Sequence, residues 1–311
     1  MRCVLISKRL DLRGYFGAEL ARTAPGIDVV DHAAGTTAED VSLALAWHPP
    51  DDAFERYPNL QAVCSIAAGV DNIMACPSLP PSAHVVRVVD RGQAQMMSGF
   101  IAWHVIGHQR GFATFRAQQR DRIWQRGDQR RAQDVPVGIL GNGEIGQRVA
   151  ADLAHLGFPV MSWSRSAKAV SSPARSFHGR DGLAAMLGET EVLVNLLPLT
   201  SETRGILNGD LFGRMRRGGY LIQVGRGDHL IEADLLAALD SGQLSGAAMD
   251  VFATEPLPQA HPFWYHPQIV ITPHDASDVS INAVATTLAV TADAIRAGRR
   301  PPHAVDRTRG Y

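Results

Sequence analysis

The sequence predicts an α/β protein of two doubly wound parallel-sheet domains, one of which is inserted into the other. Short apolar runs alternate with helical patterns between Val4 and Val89, which is typical of βαβ units and a parallel sheet. A second alternating block of the same kind begins at Val135. A final helical pattern, Val279–Ala297, would return the chain to the first domain.

Apolar runs predict the strands of both domains. In the first domain they are Val4–Ile6, Ile27–Val30, Leu43–Trp47, Ala62–Ser65 and Val85–Val89. In the second they are Val135–Leu140, Val160–Trp163, Val192–Asn195, Tyr220–Val224, Ala247–Val251 and Ile269–Thr272. Tyr15–Arg22 and Asp51–Tyr57 predict helices in the first domain. Between the two blocks, the proline-free stretch Gln93–Ile123 predicts one or two helices that lead into an arginine-rich arm.

The composition excludes several classes of function. Lys and Arg total 30 against 31 Asp and Glu, so the net charge is -1, whereas nucleic-acid binders normally carry a basic excess. Apolar runs are too short for a membrane span or a signal-peptide core. The three cysteines have no metal-type spacing, and their odd number suits no disulfide framework. We therefore expect a cytoplasmic protein with reduced thiols, without a metal, nucleic-acid or membrane partner.

A glycine-rich segment follows the predicted strand Val135–Leu140 directly: Gly141, Asn142, Gly143, Glu144, Ile145 and Gly146. A strand before it and a helix after it are the context of a dinucleotide-binding Rossmann motif. Gly141 permits the tight turn, Gly143 lets the backbone approach a pyrophosphate, and Gly146 lets helix and strand pack closely. The segment predicts a dinucleotide site; the alternative is a glycine-rich turn in an ordinary βα unit.

The segment that selects the dinucleotide follows the next predicted strand and includes Ser164, Arg165, Ser166 and Lys168. An NAD site would carry an Asp or Glu there to bind the ribose hydroxyls, and this segment has none. Arg165 and Ser164 would instead bind a 2′-phosphate through charge-assisted hydrogen bonds. The sequence therefore favours NADP(H) over NAD(H), the alternative being a solvated basic loop.

Three residues with acid–base or anion-binding side chains follow predicted strands: Arg226, Glu255 and His274. Ligand sites in open parallel sheets lie at the carboxyl ends of strands, so these residues are candidates for one shared site. Taken singly, each also fits an ordinary role as a surface arginine, a solvated loop glutamate or a packed histidine.

The motifs around these residues resemble the D-isomer-specific 2-hydroxyacid dehydrogenases, and within them the glyoxylate/hydroxypyruvate reductase A group. The resemblance rests on an ordered series of segments that spans nearly the whole chain. They are Ala46–Pro50, Ala68–Asp71, Trp163–Arg165, Asn195–Pro198, Gly225–Gly227, Leu235–Gly242, Asp250–Phe252, Glu255–Leu257, Thr272–His274, Val305–Arg307 and Arg309–Tyr311.

The resemblance implies a domain organisation. A Rossmann NAD(P)-binding domain, residues 96–279, would be inserted into a flavodoxin-like substrate-binding domain formed by residues 1–95 and 280–311. Residues 96–131 would form an interdomain helix and an arm that embraces the partner of a homodimer, with Trp124 in that arm.

The resemblance also implies a role for each candidate site residue. Arg226 binds the carboxylate and carbonyl oxygen of a 2-oxo acid, because its planar fork of donors suits both groups. His274 is the general acid/base, and Glu255 hydrogen-bonds it and stabilises its protonated form. Residues implied at the cofactor, besides the glycine segment, are Leu197, Pro198, Thr203, Val224, Gly225 and Asp250. Residues implied at the substrate, besides Arg226, are Trp47, Ala68 and Gly69.

We therefore predict an enzyme that reduces glyoxylate and hydroxypyruvate to glycolate and D-glycerate with NADPH. One alternative keeps the chemistry but acts on bulkier 2-oxo acids such as phenylpyruvate. The other is a non-catalytic protein that senses NAD(P) on the same scaffold. Three departures from the family pattern, Ala67, Ser98 and Asp275, leave the reaction type intact and the substrate open.

Overall fold

The computed structural model describes residues 1–32, 38–167 and 173–310, and these form two compact units. The first unit comprises Met1–Gly92 and Asp278–Tyr311, and the second comprises Gln93–Ser277. Each unit is built on one sheet in which all paired strands are parallel.

The strands of the first unit are short and buried, except for one at an edge. They are β1 (Arg2–Ser7), β2 (Asp28–Asp31), β3 (Val41–Trp47), β4 (Ala62–Ser65) and β5 (His84–Val86). The second unit contains β6 (Val137–Leu140), β7 (Val160–Ser164), β8 (Arg175–His178), β9 (Val192–Asn195), β10 (Gly219–Gln223), β11 (Leu244–Met249) and β12 (Ile269–Ile271).

The helices lie between these strands. They are α1 (Leu12–Thr23), α2 (Asp71–Met74), α3 (Arg91–Gln109), α4 (Phe112–Asp121), α5 (Glu144–His155), α6 (Gly179–Glu189), α7 (Gly209–Arg214), α8 (Glu232–Asp240) and α9 (Ile281–Arg296). Within residues 1–32, 38–167 and 173–310, no helix combines the length and the apolar character needed to cross a bilayer.

The first sheet has the strand order β2-β1-β3-β4-β5, which is that of flavodoxin-like folds. The last helix of the chain, α9, completes this unit: its Val284 and Leu288 pack with Phe16 of α1 and Leu43 of β3 in one buried cluster. Asp90 lies where the chain leaves this unit, and Ser280 lies where it re-enters. A hydrogen bond of 2.9 Å from the Ser280 amide to Asp90 Oδ2 joins the two points.

The second sheet has the order β12-β11-β10-β9-β6-β7-β8. The order reverses direction between β6 and β9, and doubly wound sheets bind ligands beyond the carboxyl ends of the strands at such a switch point. The glycine segment follows β6 and Leu196 follows β9, so both lie at this position. The predicted fold class, two doubly wound parallel-sheet domains of the Rossmann and flavodoxin-like types, is confirmed.

Three of the differences from the sequence-based prediction have a local physical reason. Asp51–Tyr57 forms successive turns, not a helix: its amides bond three residues back, as Ala53 N does to Pro50 O, and Pro58 disfavours the helical conformation at Tyr57. The strand predicted over Val85–Val89 ends at Val86, since the next amides bond to His303 and Ala67 instead of a strand. Strand β8 was not predicted, because this edge strand is largely exposed and lacks an apolar run.

A partly buried ion pair anchors the arginine-rich arm to the second sheet. Glu191, which precedes β9, accepts hydrogen bonds from Arg130 Nη1 and Nη2 at 2.6 and 2.7 Å. His108 Nε2 of α3 lies 2.7 Å from the same carboxylate. Burial raises the pKa of Glu191, but hydrogen bonds from Arg130 and His108 and their charges outweigh it and lower the pKa to about 2.

Glu191→Gln should destabilise the protein by about 2–3 kcal/mol at pH 7, because it removes a carboxylate whose pKa the ion pair lowers to about 2. A depressed carboxyl pKa stabilises the fold above the unfolded-state pKa and loses this effect as pH falls toward the folded-state value. The difference between variant and wild type, measured by urea unfolding, should therefore shrink between pH 5 and pH 3.

Glu189→Gln is the matched control for this experiment. Glu189 pairs with Arg175 at 2.7 Å on the surface, where an ion pair contributes about 1 kcal/mol or less. Equal losses in the two variants, or a Glu191→Gln loss that does not change with pH, would contradict the anchoring role of Glu191.

Candidate active site

His274 and Glu255 form a directly bonded pair at the end of the second sheet. His274 Nδ1 lies 2.9 Å from Glu255 Oε2, and Glu255 Oε1 accepts a hydrogen bond from the Phe252 amide at 2.9 Å. Because an ionised carboxylate only accepts, Nδ1 carries the proton and Nε2 is left for a ligand. Burial raises the pKa of Glu255, but the hydrogen bonds from His274 and Phe252 and the charges of His274 and Arg226 outweigh it, so the pKa lies below its usual value.

Asp250, at the end of β11, fixes the loop that carries His274. Its buried carboxylate accepts hydrogen bonds from Thr272 Oγ1 at 2.6 Å, the Asp275 amide at 2.9 Å and the Ala276 amide at 3.2 Å. Its carbonyl accepts the His274 amide at 2.8 Å. His274 has a φ of 57°, which is unfavourable for a residue other than glycine and needs such support.

Both glycines of the Gly225-Arg226-Gly227 segment are required by close packing. A Cβ on Gly225 would lie 2.7 Å from Asn195 Nδ2, and one on Gly227 would lie 1.9 Å from the Phe252 carbonyl carbon. The second approach brings Arg226 alongside the loop that carries Glu255, which explains why the Arg226 charge acts on that carboxylate. The arginine is half-buried, and its Nη1 donates to the Gly225 carbonyl at 2.8 Å.

Three fully buried polar residues lie beneath Arg226, and sequence reasoning missed all of them: Asn195, Gln223 and His229. Asn195 Nδ2 donates to Gln223 Oε1 at 2.8 Å and lies 2.9 Å from His229 Nδ1. Gln223 Nε2 donates to the Arg226 carbonyl at 2.8 Å. One feature of the sequence could have indicated two of them. Strands β9 and β10 are otherwise largely apolar, yet each ends in an amide residue, Asn195 and Gln223.

The glycine segment has the geometry that a pyrophosphate needs. Gly141 has a φ of 110°, and a Cβ there would lie 2.9 Å from the Leu196 carbonyl oxygen; one on Gly146 would lie 2.1 Å from the Gly141 oxygen. A Cβ on Gly143, in contrast, would meet no atom within 4 Å, so the backbone at the start of α5 is open to a ligand.

The Asn142 side chain gives independent support for a ligand at this segment. It is 3% exposed, and neither its Oδ1 nor its Nδ2 has a hydrogen-bond partner among the described residues. A buried amide without partners is costly, and a bound dinucleotide would supply polar atoms beside this turn. The described residues therefore fit the cofactor that the motif predicts.

The residues predicted at the 2′-phosphate have protein partners in this structure. Arg165 Nη1 lies 2.6 Å from Glu202 Oε2, with both side chains largely exposed. The Ser164 hydroxyl is buried and donates to the Ser166 carbonyl at 2.9 Å. Lys168 lies outside the described residues.

The remaining predicted cofactor residues frame the ends of β9 and β10. Leu197 and Val224 are buried, and Thr203 Oγ1 donates to the Pro198 carbonyl at 2.7 Å. Glu144 and Ile145 form the first turn of α5.

The residues predicted at the substrate, apart from Arg226, belong to the first unit. Trp47 ends β3, while Ala68 and Gly69 lie in the turn after the neighbouring strand β4. Ser65 fixes this turn, since its hydroxyl donates to the Gly69 carbonyl at 2.9 Å and accepts the Ala67 amide at 3.0 Å. Ala67 has no positive φ, so its methyl group does not strain the turn.

Comparison with known proteins identifies the family. Residues 102–276 match the family model of the D-isomer specific 2-hydroxyacid dehydrogenase, NAD binding domain. The chain is 42% identical over 273 residues to glyoxylate/hydroxypyruvate reductase A of Serratia proteamaculans, an alignment that covers 86% of this chain and 87% of that one. The chain belongs to the D-isomer-specific 2-hydroxyacid dehydrogenases. The resemblance inferred from its motifs is thus confirmed, and the protein is an oxidoreductase of this family.

Solved structures of 2-hydroxyacid dehydrogenases share the whole fold. One from Xanthobacter autotrophicus Py2, in complex with NADPH and MES, has a TM-score of 0.94 and 37% identity and covers 100% of this chain and 99% of its own. An NADPH-dependent glyoxylate/hydroxypyruvate reductase from Sinorhizobium meliloti, in complex with NADP and sulfate, has a TM-score of 0.92 and 36% identity, with the same coverage.

Gly227→Ala should destabilise this dehydrogenase by about 1–3 kcal/mol or more, because the added methyl group collides with backbone atoms of Phe252 and Ala253. Gly188→Ala is the matched control, since a Cβ at this position in α6 meets no atom within 4 Å and alanine favours a helix by about 0.5–1 kcal/mol. Urea unfolding measures both, and a neutral Gly227→Ala would contradict the close approach.

Proposed function

We propose that this dehydrogenase reduces the small 2-oxo acids glyoxylate and hydroxypyruvate to glycolate and D-glycerate, with NADPH as the cofactor. The observation that carries the proposal is the His274–Glu255 hydrogen bond of 2.9 Å beside Arg226. The similarity to a glyoxylate/hydroxypyruvate reductase A over most of both chains supports the choice of substrates.

Each polar side chain of the site has a distinct task in this reaction. Arg226 binds the substrate carboxylate with its planar fork of donors and polarises the carbonyl that is reduced. His274 donates the proton on Nε2 to the oxygen of that carbonyl, and the same ring accepts it in the reverse direction. Glu255 accepts the hydrogen bond of His274 Nδ1 and so fixes the tautomer of the ring. The nicotinamide, when bound, supplies the hydride.

The preference for NADPH is supported by the segment after β7. It presents Arg165 without a carboxylate at the position where an NAD site requires one. The Arg165–Glu202 pair is largely exposed and contributes little stability, so this pair is a weak competitor for a 2′-phosphate. Two structurally similar proteins carry NADPH or NADP.

Initial rates test this proposal directly. With NADPH, the purified protein should reduce glyoxylate and hydroxypyruvate with a higher kcat/KM than phenylpyruvate. NADH should give a clearly higher cofactor KM. A preference for NADH would contradict the cofactor assignment, and a preference for phenylpyruvate would favour the alternative with bulkier substrates. If the enzyme oxidises NADPH with none of the three acids, the non-catalytic sensor is favoured.

Arg226→Lys should lower kcat/KM for glyoxylate by about 100-fold, because lysine keeps the charge but loses the fork that binds carboxylate and carbonyl together. Arg204→Lys is the matched control, since Arg204 pairs on the surface with Asp228, two residues after Arg226. Steady-state kinetics at saturating NADPH measure both variants. A twofold change or less in Arg226→Lys would exclude the proposed bidentate role.

The predicted homodimer stays a prediction, for which the arm supplies one supporting observation. Helix α4 buries none of its side chains, and Trp124 after it is 100% exposed. Exposed aromatic side chains of this kind are typical of protein–protein contacts.

A further inference from the structure

His229 lies where the substrate arginine and the loop after β9 meet, and it contacts both. The residue is 0% exposed. Its Nδ1 lies 3.1 Å from the Arg226 amide nitrogen, which donates to it, and 2.9 Å from Asn195 Nδ2. Its Nε2 lies 3.2 Å from the carbonyl oxygen of Pro198, in the loop after β9.

These partners fix the protonation of the ring. A backbone amide only donates and a backbone carbonyl only accepts. Nδ1 must therefore be the unprotonated acceptor, and Nε2 must carry the hydrogen that is donated to Pro198. The neutral Nε2–H tautomer satisfies both sides, whereas the opposite tautomer would leave two donors facing each other and two acceptors facing each other.

The surrounding amides hold His229 in this orientation. Asn195 Nδ2 donates to Gln223 Oε1, and Asn195 Oδ1 accepts the Leu197 amide at 3.2 Å, so the Asn195 amide cannot be flipped without loss of both bonds. Gly225 makes room for the ring, because a Cβ there would lie 2.9 Å from His229 Nδ1. A buried, fully satisfied network of this kind favours one geometry strongly.

We propose that His229 is a positioning residue that couples the two halves of the reaction site, setting Arg226 for the 2-oxo acid through Nδ1 and the Pro198 loop for the dinucleotide through Nε2. This inference rests on the proposed function, in which Arg226 touches the substrate. His229 acts only through Arg226 and through Pro198. The two ring nitrogens therefore have separable effects.

Two substitutions separate these effects, because each amide side chain reproduces one ring nitrogen. In His229→Asn, Oδ1 occupies the place of Nδ1 and still accepts the Arg226 amide, but nothing reaches Pro198. In His229→Gln, Nε2 occupies the place of the imidazole Nε2 and still donates to Pro198, but the Arg226 amide loses its acceptor. His229→Leu removes both interactions.

The expected result is a crossed pattern. His229→Asn should weaken NADPH binding, measured by fluorescence titration without substrate, by about tenfold, with the KM for glyoxylate changed less than twofold. His229→Gln should raise the KM for glyoxylate or lower kcat by about tenfold while the Kd for NADPH stays within twofold. His229→Leu should show both losses. Equal effects of Asn and Gln on both quantities would overturn the proposal and indicate a purely structural histidine.

The wild-type protein provides a second test that does not depend on the variants folding. Long-range ¹H–¹⁵N NMR spectra of histidine-labelled protein should show His229 as the Nε2–H tautomer at pH 7, and NADPH should shift its Nε2 signal. An Nδ1–H tautomer, or a signal unaffected by NADPH, would contradict the coupling. Because the tautomer and the NADPH titration require no turnover, they remain informative if the enzyme does not reduce glyoxylate, which is a failure of the proposed function alone.

Discussion

The carboxylate of Asp250 is buried at the end of β11 and is satisfied almost entirely by one short loop. Through Thr272, Asp275 and Ala276 it holds the chain in a tight reversal, and at the centre of that reversal His274 adopts a left-handed backbone conformation. A buried carboxylate without hydrogen bonds would cost much free energy of folding, and the loop supplies the donors that prevent this cost. The position of His274, and with it the bond to Glu255, follows from this arrangement.

The site thus separates two kinds of residue. The side chains that would meet substrate, Arg226 and His274, are half-buried or exposed and sit on loops after strands. Their support is buried: Asp250 under one, and the network of Asn195, Gln223 and His229 under the other. Close packing at two glycines holds these supports together. Gly225 lies against Asn195 and His229 of the network, and Gly227 lies against the backbone of Phe252, near Glu255. The supports fix the backbone at Arg226 and around His274 and leave both side chains partly accessible, as a preorganised site requires.

Periodicity and turn residues were sufficient to predict most of the fold. Apolar runs locate buried strands such as β3 and β9 because parallel strands are covered on both faces. They could not locate β8, an exposed edge strand, nor distinguish the turns of Asp51–Tyr57 from a helix, because the two differ only in whether an amide bonds three or four residues back. Motif order was enough to choose Arg226, Glu255 and His274 as candidates, and the structure places Glu255 and His274 in direct contact.

The supports of the site were beyond sequence reasoning for a physical reason. Asn195 lies 28 residues before Gln223 and 34 before His229, and it meets them only because β9 and β10 are neighbours in the sheet. Asp250 was assigned to the cofactor by resemblance alone, which stays a prediction, and the bonds of its carboxylate to the His274 loop were not predicted. Hydrogen-bond partners of buried polar groups depend on register and loop geometry, which a single sequence does not specify.

Turnover of His274→Ala reports on the proposed acid–base role of His274. Glyoxylate reduction at saturating NADPH should fall by about 10²–10⁴-fold, while the Kd for NADPH, measured by fluorescence titration, stays near that of the wild type. His178→Ala, which removes an exposed histidine at the end of β8, should leave both quantities unchanged. Near-normal turnover in His274→Ala would exclude the acid–base role.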